Sequence, residues 1–221
     1  MSFSFSDNPS SVAIYEDLVE WGAAWHTHKP TTFAPIYYSD PSNNANTTTA
    51  AISTPQTVRS ICTEADVNPV FPELWYLNDL VITGLAHYHL SQILLLAHDP
   101  RLPRLGPRRA AALRDMDAQI RAHVRVLCGF AMSNDTCPPH FVCACMALAL
   151  AGDKMTNRRE QEACLEVMRI CEDRYAYHTH KARKQLIEAW DWRHGSVASA
   201  AMSGVGGGNL GGSIGGDDMG F

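Results

Sequence analysis

The chain has 221 residues, 46% hydrophobic and 19% charged, the composition of a globular protein rather than of a wholly disordered or fibrous one. Its 18 Lys+Arg and 23 Asp+Glu leave a net charge of -5, which excludes a global basic field and disfavours a free-standing DNA-binding module. The charge is uneven, because residues 1–100 carry only Lys29 and Arg59 against ten acidic residues, and we read this as two solvated surfaces of opposite sign.

Residues 12–26 place Ile14, Leu18, Trp21 and Trp25 on one helical stripe, with Ser10 or Ser11 as N-cap and Pro30 ending the segment. This predicts an amphipathic helix, and residues 1–38 are taken as this helix and its connection. From residue 39 to 68 the prolines Pro41 and Pro55 and the polar tract at 42–49 bury too little apolar area to offset chain entropy. That stretch is read as a flexible linker, most mobile over 39–56.

A helical domain is expected over 69–194. Pro72 at a first helical position opens a helix over 73–98, with Leu74, Leu77, Val81, Leu85 and Tyr88 on one face and Ile82, His89, Ile93 and Leu96 near the other. Apolar on both sides, it is expected at the centre. Asp99-Pro100 stops it, and Pro103 and Gly106-Pro107 shape the turn. Helical spacing resumes over 108–133 through Leu113, Met116, Ile120, Val124, Leu127 and Ala131, with Arg108, Arg114, Arg121 and Arg125 on the polar side.

Thr136 is a candidate cap for a helix entered through Pro138-Pro139, and residues 141–151 are so uniformly apolar that other helices must surround them until Gly152. Asn157 with Glu160 three positions on resembles a capping box, opening a helix with Cys164, Val167, Met168 and Cys171 inside. A last helix over 178–192 carries Ala182, Leu186, Ala189 and Trp190. No long period-two alternation occurs, so the fold class is all-α: a multi-helix bundle with a disordered polar linker and a Gly-rich C-terminal tail. Ten of the fifteen glycines lie in that tail, residues 195–221. It is no phosphate loop, because no Gly-Lys-Ser/Thr closes it.

Seven cysteines form an odd set, and residues 1–11 lack the basic and apolar regions of a secretory start. The expectation is reduced thiols in a nuclear or cytosolic compartment. Residues 81–97 are interrupted by His87, His89 and Gln92 and residues 141–151 are short, so no membrane span is expected, and the sequons at Asn46 and Asn134 carry no glycosylation forecast.

The pairs His26/His28, His87/His89 and His178/His180 invite a metal reading, but on a helix i and i+2 sit roughly 200° apart and do not converge on one ion. Cys143 and Cys145 meet the same obstacle and read as small buried hydrophobes. Cys164 and Cys171 lie two turns apart, about 10 Å along an axis and beyond disulfide reach. No Gly-x-Ser-x-Gly, Walker loop, His-Glu-x-x-His or Cys-x-x-Cys occurs. Polar pairs such as Asp79 with Thr83 or His98 with Asp99 are coincidences any helical chain offers. No catalytic, cofactor or metal residue is assigned, and an enzyme is not expected. The basic stretch 101–109 has no interleaved aromatics and reads as a solvated loop rather than a nuclear-import or phosphate-contact patch.

The runs Pro72-Glu73-Leu74-Trp75-Tyr76-Leu77-Asn78-Asp79, Thr83-Gly84-Leu85-Ala86-His87-Tyr88-His89-Leu90 and Asp99-Pro100-Arg101-Leu102-Pro103-Arg104-Leu105-Gly106-Pro107 resemble the helical regulatory region of fungal binuclear zinc-cluster transcription factors. Leu127-Cys128-Gly129-Phe130-Ala131-Met132-Ser133-Asn134, Pro138-Pro139, Gly152-Asp153 and Arg159-Glu160-Gln161-Glu162-Ala163 continue the likeness over about 71–192. That family's six-cysteine DNA-reading cluster has no counterpart in residues 1–68, where Cys62 is the one cysteine, so no zinc ligand or base contact carries over. The resemblance implies a nuclear location and a role in RNA polymerase II transcription. It implies protein partners in the transcription machinery or an oligomeric partner, room for a small-molecule effector, and no sequence-specific DNA binding by this chain. A helical interaction scaffold without a transcriptional role, and a small-molecule-binding helical protein, stand as the alternatives.

Overall fold

In the computed structural model, which describes residues 9–41, 69–134 and 137–192, the helical spacing becomes six α-helices among the described residues. They are α1 (Pro9–His28), α2 (Asp79–Ala97), α3 (Pro107–Ser133), α4 (Pro138–Ala151), α5 (Arg158–Tyr175) and α6 (His180–Ala189). The mostly-α multi-helix fold is as the sequence predicts. The central part of the expected linker, the Thr136 cap and the glycine-rich tail lie outside the described residues.

One boundary is corrected. The long helix does not begin at Pro72: Glu73–Trp75 is a short strand, β2, paired antiparallel with β1 (Tyr37–Ser39) in the register Tyr37 to Trp75, Tyr38 to Leu74 and Ser39 to Glu73. Three residues are too few for an alternation to show in sequence, yet Leu74 is buried while Trp75 on the opposite face is exposed. The other edge of β2 is satisfied by the end of α3, where the Leu74 N–H donates to Ser133 Oγ (3.1 Å) and Asn134 Nδ2 donates to the Leu74 carbonyl (2.8 Å). The helix starts only where Asn78, extended at φ -142 and ψ 123, caps it by accepting from the Leu80 N–H (2.8 Å). Leu77, placed inward by the helical reading, is consequently 88% exposed.

The core lies among α2, α3, α4 and α5. Ile82, Leu85 and Ile93 of α2 belong to one buried cluster with Ile120, Val124 and Leu127 of α3, Phe141 and Leu148 of α4, and Val167 and Met168 of α5. α2 is the one described helix long and apolar enough to cross a membrane by length and composition, and here its Ile82, Leu85, Ala86, Leu90 and Ile93 face is packed inside. α4 is less enclosed than its sequence implies, since Met146 and Leu150 point outward.

Among the described residues Gly106 is the one glycine at positive φ, at φ 94 just before Pro107 opens α3. The arginines of α3 are not all on a free polar face. Arg125 forms a two-pronged ion pair with Glu160 of α5 (2.7 and 3.1 Å), and Arg121 donates to the Lys154 carbonyl. Asn157 caps α5 by accepting from the Arg159 N–H at 2.9 Å, as the sequence predicts, while Glu160, its expected capping-box partner, is engaged by Arg125 instead. α5 ends at Ala176, in the left-handed region at φ 51, so α6 starts at His180 rather than at His178. Trp190 Nε1 donates to the Gly152 carbonyl (3.1 Å) and Trp192 Nε1 to Gln161 Oε1 (2.9 Å), tying the last described residues back to the ends of α4 and α5.

Candidate functional site

α1 docks on α2 along a line that differs from its apolar stripe. Ser11 and Tyr15 are buried and Gly22 sits against Gln92. Tyr15 OH donates to the Leu95 carbonyl (3.2 Å), and the Arg101 guanidinium lies 4.9 Å from the centre of the Tyr15 ring. At the far end Trp25 stacks on Tyr88 at 5.3 Å and meets Phe33 edge-on at 6.2 Å. Ile14, Leu18 and Trp21 lie about 90° round the helix from the Tyr15 line at 100° per residue, and they are 50%, 50% and 73% exposed. The sequence stripe of Ile14, Leu18, Trp21 and Trp25 is therefore split: Trp25 holds the helix down and the other three form an outward apolar row. Such a row of large side chains on a surface helix is the usual mark of a contact surface.

Beneath Trp25 lies a histidine cluster. His89 Nδ1 and His123 Nδ1 approach to 2.8 Å, so one ring donates to the lone pair of the other, and Phe130 packs edge-on against His89. His26 stacks on Tyr88 at 4.9 Å and accepts from Lys29 Nζ. Burial, reinforced by the nearby His123, His26 and Lys29, holds the His89 imidazole down at about 3. Burial also lowers His123. His87, the other member of its sequence pair, points to solvent and bonds to the Thr83 carbonyl at 2.8 Å, so the pair is divided between two faces as the helical spacing requires.

A cleft of about 560 Å³ opens beside β1, lined by Tyr38, Pro72, Val126, Asn157 and the Arg125–Glu160 pair. A smaller one of about 340 Å³ lies under the 98–104 turn.

The cysteines divide by burial. Cys128, Cys143, Cys145, Cys164 and Cys171 are buried and unbridged, in keeping with the core reading of Cys143, Cys145, Cys164 and Cys171. Bonding to Cys164, then burial, pushes the Cys128 thiol up, and burial pushes the Cys145 thiol up beside Cys171. Cys137 is different: it is half-buried at the N-cap of α4 and lies in a group with Asp79 and His140 whose donor atoms are all within 4.8 Å of one another. No spacing rule along the chain links Asp79 to the other two, and only the junction of α2 with α4 brings them together. Comparison with protein-family models, with curated proteins and with solved structures finds no match.

Proposed function

We propose that the chain is a helical regulatory domain of a transcription factor-like protein. It acts in the nucleus and modulates RNA polymerase II transcription through protein contacts, without reading DNA itself. Two things support this reading: the resemblance carried by the 72–79, 83–90 and 99–107 runs, and the outward row of Ile14, Leu18 and Trp21. The row is the observation that carries it, since three large apolar side chains held in water at i, i+4 and i+7 suit the groove of a helical partner.

The test is a fusion of the full chain to a heterologous DNA-binding module in a fungal host. Reporter transcription is expected to change relative to the module alone, and the change to disappear when Ile14, Leu18 and Trp21 are replaced together by Ser. A stable, nuclear fusion that leaves transcription unaltered would give the reading to an inert scaffold.

A further inference from the structure

We propose that Asp79, Cys137 and His140 bind one divalent transition-metal ion of the zinc type, clipping the start of α2 to the start of α4. Among the described residues they are the one group of three metal-capable side chains with donors inside 4.8 Å. A tetrahedral ion with bonds of about 2.0–2.3 Å holds its donors roughly 3.3–3.8 Å apart. Closing the gap takes about 1 Å of side-chain movement, and exposed Asp79 and half-buried Cys137 are free to make it.

Two of the donors are pre-set by local structure. Cys137 is the N-cap of α4 and His140 is three residues on, the two positions whose side chains meet over a helix start in a capping box. Pro138 and Pro139 between them fix φ and hold the pair in place. Asp79 enters from the first turn of α2.

His140 is the buried member of the group. Its side chain is fully buried, with Nδ1 3.2 Å from the Asn134 carbonyl and Nε2 3.3 Å from the Asp79 carbonyl. A neutral imidazole has one N–H and donates to only one of these carbonyls, so to reach an ion the ring keeps that contact and turns its other nitrogen away from the second carbonyl. The resulting arrangement is the one metal-ligating histidines have, one nitrogen donating to a backbone carbonyl and the other on the ion. A thiolate, an imidazole and a carboxylate together favour zinc or cobalt over the hard cations magnesium and calcium. On binding, the Cys137 S–H bond breaks, its electron pair forms the metal–sulfur bond and the proton passes to buffer; no electron changes hands. Thiolate and carboxylate then cancel the ionic charge, and water completes the coordination on the side where Asp79 meets solvent.

Metal-stripped full-length protein titrated with Co2+ should show a thiolate-to-cobalt charge-transfer band in the near ultraviolet and the intense visible absorption of four-coordination. Both should saturate near one equivalent and vanish on adding Zn2+. Cys137→Ser and Asp79→Asn, both on the solvent side, should keep the circular dichroism of the parent. Each should lose more affinity than the roughly 10–100-fold that removal of an outer-shell partner costs. The rise in Tm that zinc gives the parent should be missing from Cys137→Ser. Cobalt uptake without a thiolate band, or a titration unchanged in Cys137→Ser, would mean an adventitious ion only and would overturn the proposal.

Discussion

Gly129 shows how one missing side chain sets the path of another segment. It lies inside α3, where Gly costs about 1 kcal/mol relative to Ala, so replacement by Ala would ordinarily stabilise the helix. A Cβ there would stand 2.4 Å from the Pro72 carbonyl oxygen and 3.0 Å from Leu74 Cδ1, and the first of these is backbone that cannot swing aside. Gly129→Ala is therefore expected to destabilise by about 1–3 kcal/mol, the range for forced overpacking, seen as a lower denaturant midpoint with unchanged m. A gain in stability would mean that residues 72–74 do not cross α3 at this point.

At the scale of the element, α1 separates two tryptophans that the sequence treats alike. Trp25 lies between Tyr88 and Phe33, whereas Trp21 is 73% exposed. Trp25→Ala should cost about 2 kcal/mol, less than a fully buried tryptophan. Trp21→Ala should stay within about 0.5 kcal/mol, while reducing the reporter response of the fusion. Paired chemical denaturation curves decide it, and equal losses would show that both residues pack. Periodicity located α3, α4 and α5 because their inward rows, such as Ile120, Val124 and Leu127, are long and follow the 3.6 period. It misplaced the start of α2 because a three-residue strand owes its existence to a partner 36 residues earlier and to Ser133 and Asn134. The Asp79, Cys137 and His140 group was invisible for the same reason: two of its members are neighbours in sequence and the third is a neighbour only in the folded chain.

At the scale of the whole molecule, α1, α2 and α3 converge on the paired rings of His89 and His123, with His26, Lys29 and Tyr88 alongside. His89 is held near 3 in the fold and near 6.5 in the unfolded chain, so between those values the unfolded state binds more protons. Stability is then full above about pH 6.5 and is lost as pH falls toward 3. Each unit of depression is worth about 1.4 kcal/mol, and partial exposure reduces the total to a few kcal/mol. His89→Gln should flatten the stability profile between pH 6.5 and 4 relative to the parent in urea titrations. Parallel profiles would place the acid sensitivity elsewhere. The interior thiols carry a different consequence. Five of the six described cysteines are sealed among α3, α4 and α5, where an oxidant reaches sulfur only if helices part first. Their protection from oxidants is thus a kinetic property of the folded packing, and it lapses whenever the helices part.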